Sequence, residues 1–273
     1  MRIITWNVHH ANKDSSVWKL LIKLQPDIIL LQEVGDMPGN IKQIYDVLSK
    51  NAVKKTGEPQ NFSTAVLVKG KIVKEIPLSS EYEWVNRELE FFKGNFIGCF
   101  VQPNDHEQIN VVSVYSPAWP VNKNRLIGID VAQVKLKNNP EVWPTEIIWS
   151  ALKNTISDKE KWIVGGDYNI SETFDKEWQD KNSKKFGIRS YGNKEILNRM
   201  NKLGFTECLR KFNKNIIPTF KHSSGEVAHQ IDHLFVTNEL YAELRTCEVG
   251  DQSIIFGNSQ SDHLPIIADF KEK

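Results

Sequence analysis

Residues 162–169 of this 273-residue chain read Trp-Ile-Val-Gly-Gly-Asp-Tyr-Asn. The apolar beginning predicts a strand, and the Gly-Gly pair predicts a sharp turn that ends it. Asp167 and Asn169 are two residues apart, so in extended backbone their side chains point the same way and can converge on one ligand. A Gly-Gly-Asp turn alone is more often ordinary turn chemistry than a catalytic site. The interpretation therefore depends on the other strand ends.

The first two predicted strands also end in polar side chains. The first, Arg2–Val8, contains Asn7, and the second, Ile28–Leu31, is followed by Gln32 and Glu33. A helix between them, capped by a serine, completes a strand–helix–strand unit whose parallel strand ends emerge at one edge of a sheet. We therefore expect Asn7 and Glu33 to lie side by side.

The remaining hydrophobic pattern predicts further elements. Strands are expected at Thr64–Val68, Lys71–Ile76, Phe96–Val101, Ile109–Tyr115, Thr219–Lys221, Ile231–Val236 and Ile266–Phe270. Helices are expected at Pro38–Leu48, Asn124–Leu136, Thr145–Ile156 and Lys194–Leu203. The first two of these strands read as neighbours joined at Lys69-Gly70, and the next two as a hairpin with a turn at residues 103–105.

The composition is that of an ordinary globular protein, with 40% hydrophobic and 25% charged residues. We expect one domain over residues 1–273, a monomer without an obligate protein partner. The sequence has no apolar run of about eighteen residues and its first strand begins at Arg2, so we expect a cytoplasmic protein that does not engage membranes. Cys99, Cys208 and Cys247 form no CxxC pattern and are expected to be reduced core residues.

Charge is unevenly distributed although the net charge is only +1. Between Lys176 and Lys221 there are twelve Lys or Arg residues against four Asp or Glu. Such asymmetry indicates either a polyanion-binding face or a set of solvated lysine-rich helices. If the first interpretation holds, Lys184, Lys185 and Arg189 are candidate contacts to nucleic-acid phosphates.

The polar strand ends together have the chemistry of a magnesium-dependent phosphoryl-transfer site. The set comprises Asn7, Glu33, Asp167, Asn169, Asp232, Asp262 and His263. Hard divalent cations take oxygen ligands from one or two carboxylates, which makes Glu33 the natural metal ligand. A carboxamide can orient a phosphate or a water without adding charge, and His263 can donate to a phosphoryl oxygen. Taken singly, Asn7 can simply end a strand, and Glu33 or Asp262 can cap a helix.

The other histidines receive no catalytic assignment. They are interpreted as surface or core residues, and comprise His9, His10, His106, His222, His229 and His233.

These motifs resemble those of the endonuclease/exonuclease/phosphatase superfamily. The matching stretches are Trp6-Asn7, Leu31-Gln32-Glu33, Gly165–Asn169, Ile231-Asp232-His233 and Ser261-Asp262-His263, in the family's order. The resemblance spans Met1 to about Phe270. It implies an α/β fold, a four-layer α-β-β-α sandwich of two mixed sheets flanked by helices. That superfamily includes abasic-site endonucleases, deoxyribonucleases, deadenylases, sphingomyelinases and inositol polyphosphate phosphatases.

The resemblance also implies a metal site. Asn7 and Glu33 would hold the metal, and Asp262 would orient it or bind it as well. The cofactor implied is Mg²⁺, with Mn²⁺ as an alternative.

Catalytic roles follow from the same resemblance. Asp167 would position or deprotonate the attacking water, and Asn169 would hold the phosphate. His263 would contact the scissile phosphate, with Asp232 fixing its imidazole. The reaction implied is in-line attack of water on phosphorus.

The residue at position 115 helps to distinguish the subgroups of this superfamily, and here it is Tyr115. Exonuclease III-like members carry tyrosine at this position, before Ser116-Pro117, whereas deoxyribonuclease-like and sphingomyelinase-like members carry histidine. A phenol can hydrogen-bond a phosphate or a leaving oxygen. Against the abasic-site subgroup, Glu33 is followed by Val34-Gly35 rather than a Thr-Lys type continuation, so no subgroup is assigned.

The leading functional hypothesis is a magnesium-dependent phosphodiesterase, an endonuclease or exonuclease acting on nucleic acid. A phosphatase or a small-molecule or lipid phosphodiesterase would use the same centre, and a catalytically silent binding protein is the remote alternative. We expect Glu33→Ala or His263→Ala to abolish hydrolysis with little loss of folding, because both residues are expected at a wet strand edge.

Overall fold

The computed structural model describes residues 1–137, 139–157, 160–179 and 192–271. Its strands are β1 (Arg2–Ala11), β2 (Ile28–Val34), β3 (Asp46–Val53), β4 (Pro59–Val68), β5 (Gly70–Ile76), β6 (Phe96–Pro103), β7 (Ile109–Tyr115), β8 (Trp162–Asp167), β9 (Phe205–Glu207), β10 (Phe220–Lys221), β11 (Val227–His229), β12 (Asp232–Thr237), β13 (Leu244–Val249) and β14 (Ile266–Phe270). Its α-helices are α1 (Ser16–Leu24), α2 (Gly39–Ile44), α3 (Glu83–Phe91), α4 (Pro144–Thr155), α5 (Glu172–Gln179), α6 (Asn193–Lys202), α7 (Asn238–Glu243) and α8 (Gln252–Ile255).

Two mixed six-stranded sheets form the body of the fold. The first has the order β13-β14-β1-β2-β4-β3 and the second the order β5-β6-β7-β8-β12-β9. Each sheet has one parallel pair, β1 with β2 and β7 with β8, among antiparallel neighbours. Strands β10 and β11 pair in a separate small ribbon.

Apolar side chains pack in three layers around and between these sheets. Along β2, Ile28 and Leu30 belong to the layer between the sheets, while Ile29 and Leu31 face α1, α2 and α8. A third layer packs the outer face of the second sheet against α3, α4 and α6. Strands buried on both faces explain the unbroken apolar runs in the sequence. The predicted four-layer α-β-β-α sandwich is confirmed.

Helix α1 joins β1 to β2 as the sequence predicted. Ser15 Oγ accepts a hydrogen bond from the Val17 N–H at 3.3 Å, and Trp18 and Leu21 are buried on the inner side. The helix ends at Gln25, which adopts a left-handed conformation with φ 50°.

The Gly165-Gly166 pair does not form the predicted turn. Both glycines lie within β8, which continues to Asp167. A Cβ on Gly166, where φ is 153°, would lie 1.8 Å from the Val114 carbonyl oxygen. A Cβ on Gly165 would lie 2.8 Å from Cδ1 of Leu234 on the neighbouring strand β12 and 3.1 Å from Cδ1 of Leu30 on the facing sheet. The glycines therefore allow close packing around β8 rather than reversing the chain.

The helix expected at Pro38–Leu48 is mostly wrong. Helix α2 covers only Gly39–Ile44, and β3 begins at Asp46 and pairs antiparallel with β4. Pairing with the edge of the sheet overrides local helix preference, a tertiary effect that single-sequence patterns do not show.

The two strands predicted on either side of Lys69-Gly70 are present. However, β4 lies in the first sheet and β5 in the second, so they are not neighbours.

The helix expected at Asn124–Leu136 is also wrong. Lys123–Leu126 forms a short 3₁₀ helix, and Gly128 then adopts φ 75°, which is incompatible with continuation. Asp130 Oδ1 accepts a hydrogen bond from the Ala132 N–H at 2.9 Å, a local bond that competes with helix formation.

Cys99, Cys208 and Cys247 are buried and free, as expected. Within the described ranges, no helix has the length and apolar character needed to span a bilayer.

Candidate active site

The predicted site residues meet at one edge of the sandwich. The carboxyl ends of the parallel strands lie there, with Asn7 opposite Gln32 and Tyr115 opposite Asp167. Asp232 begins the antiparallel β12 and stands opposite Asp167.

The loop before β14 reaches the same edge. Trp6 Nε1 donates to the His263 carbonyl oxygen at 2.9 Å, and Ser261 Oγ donates to the Asn7 carbonyl oxygen at 2.7 Å. Both sheets therefore contribute to one constellation.

Asp167 lies at its centre and is almost fully buried. Its Oδ2 accepts hydrogen bonds from Nδ2 of Asn7 at 3.0 Å and Nδ2 of Asn169 at 3.1 Å. Burial raises the pKa of this carboxyl to about 7, with further upward contributions from Asp232 and Glu33, while the charge of His263 and the Asn7 hydrogen bond oppose the shift. Asp167 is thus a carboxyl group held in place by amides.

Asn169 contacts Asp167 differently from the prediction, in which both side chains pointed the same way from one extended strand. It lies beyond the strand with φ 50°, and its backbone N–H donates to Asp167 Oδ1 at 3.0 Å. Its Nδ2 donates to the Ser116 carbonyl oxygen at 2.8 Å as well as to Asp167. Both side-chain N–H groups are engaged, so in this arrangement Asn169 orients Asp167. Its predicted role as a phosphate ligand stays a prediction and requires one of these bonds to open.

His263 pairs with Asp232 as the resemblance implied. The Nδ1 atom lies 2.9 Å from Oδ2 and 3.1 Å from Oδ1 of Asp232. Burial lowers the pKa of His263, but the charge and hydrogen bond of Asp232, with Asp167 and Asp262, outweigh it and raise the pKa to about 10. The expectation of a wet strand edge is wrong for His263, which is only 5% exposed.

The other imidazole nitrogen of His263 differs from Nδ1 in its surroundings. Among the described residues Nε2 has no hydrogen-bond partner, and Oδ1 of Asp262 lies 3.9 Å away. A protonated imidazole in this position can donate Nε2–H to an anionic group.

Glu33 and Tyr115 form a second pair. Glu33 adopts φ 53° and its side chain is 15% exposed. Burial raises the pKa of the Tyr115 phenol above its usual value, and the negative charges of Glu33 and Asp167 add to the shift. Tyr115 therefore stays protonated at neutral pH and can act only as a hydrogen-bond donor or acceptor.

Asp262 provides the observation that a cation fits this edge. Its Oδ1 is buried and lies 3.1 Å from Nδ1 of His9, yet it accepts no well-formed hydrogen bond from any described residue. A carboxylate oxygen shielded from water and lacking a donor is costly unless a cation compensates it. With Glu33 and the Asn7 carboxamide nearby in the fold, the oxygen donors suit a divalent ion.

Two residues of this site were missed by the sequence analysis. His9 lies beside Asp262, and His10 Nε2 lies 3.4 Å from Oε2 of Glu33. His9, His10 and Glu33 each offer a ligand atom, and these atoms lie within 4.8 Å of one another. The only sequence signal was two consecutive histidines just beyond Asn7.

A second candidate metal-holding group is buried: Asp167, Asp232 and His263. His233, by contrast, belongs to the core as expected, paired with Glu207 at 2.6 Å. Lys184, Lys185 and Arg189 lie outside the described residues.

The chain is similar to known proteins in its sequence profile and in its fold. The sequence profile described as the Endonuclease/Exonuclease/phosphatase family matches residues 4–263. An AP endonuclease from Archaeoglobus fulgidus is similar in structure, with 19% identity, a TM-score of 0.70 and 99% of each chain covered. A 3'-5' exonuclease (NExo) from Neisseria meningitidis has 18% identity and a TM-score of 0.68, covering 99% of this chain and 100% of its own.

The catalytic domain of APE2 from Xenopus laevis is also similar, with 17% identity and a TM-score of 0.66, covering 99% of this chain and 92% of its own. At these identities the structural likeness establishes the fold. A search of curated proteins found no match.

Proposed function

Because the chain belongs to the Endonuclease/Exonuclease/phosphatase family, we propose that it is a magnesium-dependent phosphodiesterase that hydrolyses nucleic acid. The predicted family and hydrolase class are confirmed by the family match. The metal, the polymer substrate and the role of each residue are the parts proposed here.

One observation carries the proposal. At the edge where both sheets end, the Asp262 Oδ1 atom, which accepts no hydrogen bond from a described residue, and the Glu33 carboxylate share one site with Nε2 of His263. Hydrolysis of a phosphate ester requires ligands for a cation next to a group that donates a hydrogen bond to a phosphoryl oxygen, and this site contains both.

Asn7, Glu33 and Asp262 would hold the cation, which supplies positive charge to the phosphoryl oxygens and is Mg²⁺ by the hardness of these donors. His263 would donate Nε2–H to a phosphoryl oxygen as negative charge develops there.

The proton of the attacking water would pass to Asp167, whose carboxylate is fixed by Asn7 and Asn169. Tyr115 would donate its phenolic O–H to the phosphate or the leaving oxygen. Asp232 would keep the His263 ring in the required tautomer.

Nucleic acid is favoured as the substrate by the similar structures, two of which are named as an AP endonuclease and a 3'-5' exonuclease. The basic segment gives less support than its charge suggests. Arg199 donates to the Val134 carbonyl oxygen and to Glu195, and Lys211 donates to the carbonyl oxygens of Tyr241 and Leu244. Arg199 and Lys211 are thus engaged within the protein, and Lys184, Lys185 and Arg189 remain the proposed phosphate contacts of this segment.

The test is a Mg²⁺-dependent cleavage assay with Glu33→Gln as the blank. The substrates are single- and double-stranded DNA, abasic duplex, RNA, a chromogenic phosphodiester and a phosphomonoester. Cleavage of a polymer by the wild type alone supports the proposal, and the product ends define the mode of attack. Turnover of the monoester alone would make the protein a phosphatase, and equal turnover by Glu33→Gln would refute the site.

A further inference from the structure

The two histidines beside Glu33 are brought there by a bulge between β1 and β2. The strands pair Asn7 with Gln32 and then Ala11 with Val34, so Val8, His9 and His10 stand opposite Glu33 alone. His9, His10 and Glu33 have φ values of 44°, 59° and 53°. Left-handed conformations of this kind are unfavourable for residues other than glycine and concentrate at functional sites. Bulges change the direction of side chains, and this bulge brings the possible ligand atoms of His9, His10 and Glu33 together.

The spacing of these donors matches a shared ion. His10 Nε2 and Glu33 Oε2 are 3.4 Å apart, and a His9 ligand atom completes a group within 4.8 Å. Two ligands bound at about 2.1 Å and subtending an angle of about 90–110° lie about 3.0–3.4 Å from each other. The histidine and the carboxylate are thus already at the separation of neighbouring metal ligands.

The His10 ring is held in place on the other side. Phe62 packs against it edge-to-face, with ring centroids 4.8 Å apart, and Phe62 itself packs against Tyr115. The side chains of His9 and His10 remain 56% and 47% exposed. An ion bound here would be reachable from solvent, with positions left for water or for a substrate oxygen.

We propose that His9, His10 and Glu33 form a mixed nitrogen–oxygen site for a divalent transition metal such as Mn²⁺ or Co²⁺. Imidazole nitrogens suit transition metals, whereas Mg²⁺ is bound almost entirely through oxygen. The inference rests on the proposed function in that it shares Glu33 with the catalytic cation. It adds that this centre binds transition metals more tightly than Mg²⁺.

The experiment compares metal binding by the wild type, the His9→Asn/His10→Asn double variant and a matched control. Asparagine is chosen because it tolerates positive φ better than other non-glycine residues. The control is His106→Asn: His106 Nε2 lies 3.5 Å from Oδ2 of Asp27, a similar histidine–carboxylate pair remote from Glu33. Mn²⁺, Co²⁺ and Mg²⁺ are titrated calorimetrically. Electron spin echo spectra of the Mn²⁺-loaded proteins report coordinated nitrogen directly.

The double variant should bind Mn²⁺ and Co²⁺ about 10- to 100-fold more weakly than the wild type, as expected for loss of groups around a metal. Its Mg²⁺ affinity should hold, and its nitrogen modulation should disappear, while His106→Asn behaves as wild type. Circular dichroism and thermal melting check that each variant is folded. Unchanged Mn²⁺ affinity with persistent nitrogen modulation in the double variant would overturn the inference, as would an equal loss in His106→Asn.

Hydrolysis separates this inference from the proposed function. If wild type cleaves a phosphodiester with Mg²⁺ while the double variant binds Mn²⁺ normally, the function stands and the inference fails. If no phosphodiester is cleaved but nitrogen coupling is present in the wild type and lost in the double variant, the inference stands and the proposed function fails.

Discussion

The dipeptide Asp-His occurs at residues 105–106, 232–233 and 262–263, and the fold puts the last two copies to different uses. Asp232 pairs with the histidine of the other copy, His263, at 2.9 Å, while His233 points away and pairs with Glu207 at 2.6 Å. Both imidazoles are buried, and both have a carboxylate at Nδ1. The difference lies at the other ring nitrogen.

In His233, Nε2 lies 3.1 Å from the Ile170 carbonyl oxygen, so both ring nitrogens are occupied. In His263, Nε2 has no hydrogen-bond partner in the described part of the chain. Burial lowers the pKa of each imidazole, but the neighbouring carboxylates outweigh it and raise both. His233 and His263 therefore differ in one respect: only His263 has an N–H group that, among the described residues, is free to donate a hydrogen bond to a ligand. A buried ion pair alone does not identify a catalytic histidine.

The largest effect should come from removing the open nitrogen. In His263→Asn, the side-chain amide can still donate to Asp232, so no buried carboxylate is left unpaired, but the donor toward the phosphate is lost. We expect kcat for phosphodiester hydrolysis to fall by about 10²- to 10⁴-fold. Steady-state kinetics on the substrate found in the cleavage assay measure this. Turnover close to the wild-type value would assign the phosphate contact to another residue.

Asp232→Asn should have a smaller effect. The variant keeps the volume but loses the negative charge that orients His263 and holds it protonated. We expect kcat to fall by about 10- to 100-fold, as for other groups that orient an active-site imidazole, with KM changed less than kcat. An activity profile in pH should also change shape, which a purely structural role for Asp232 would not produce.

His233→Asn should lower stability and leave activity nearly unchanged, unlike the two substitutions above. Glu207 keeps Arg210 and the Gln230 amide as partners, but the charged imidazole and its contact with the Ile170 carbonyl oxygen are lost, which should cost about 1.5–3 kcal/mol. Urea unfolding should show that loss in the free energy of unfolding, while kcat per folded molecule stays near wild type below the transition. A large loss of kcat with unchanged stability would place His233 in the catalytic machinery and break the comparison.

The smallest effect is a pH dependence of that stability. The raised pKa of His233 means that the folded state binds more protons than the unfolded state above about pH 6.5, so this contribution falls as pH rises. Although burial opposes it, the charges of His233 and Arg210 lower the pKa of Glu207, so its contribution is lost instead as pH falls below about 4.5. The difference in unfolding free energy between wild type and His233→Asn should therefore be largest between these limits and shrink on either side.

The measurement for this prediction is urea unfolding of both proteins across the pH range. A difference that grows steadily from pH 6.5 to alkaline pH would contradict the assigned charge state of His233.

Much of the site followed from the sequence because strand ends are regular. Parallel pairing of β1 with β2 places Asn7 beside Glu33, and the apolar run before Asp167 indicates the same edge, although β8 continues through the two glycines that were expected to end it. Residue type and sequence order were enough for these. The Asp232–His263 pair came from family resemblance, since the sequence contains three Asp-His dipeptides and does not by itself show which aspartate pairs with which histidine.

The rest depends on contacts between distant segments. His9 and His10 reach Glu33 only because β1 bulges against β2, which requires the register of both strands. Asn169 turns back onto Asp167 through a left-handed backbone conformation that an alternating pattern cannot indicate. β3 replaces an expected helix because the edge of β4 is available to pair with it. Register, backbone handedness and edge pairing are properties of the assembled sandwich.

Nitrogen NMR of the imidazole rings tests most directly whether Nε2 of His263 is the atom that contacts the substrate phosphate. Long-range proton–nitrogen spectra are recorded with and without thymidine 5'-monophosphate in the presence of Mg²⁺, and His263→Asn and His233→Asn assign the two rings. We predict that Nε2 of His263 shifts on nucleotide binding while both nitrogens of His233 stay unchanged. An unmoved His263 in protein saturated with nucleotide, or equal shifts in both rings, would contradict the account.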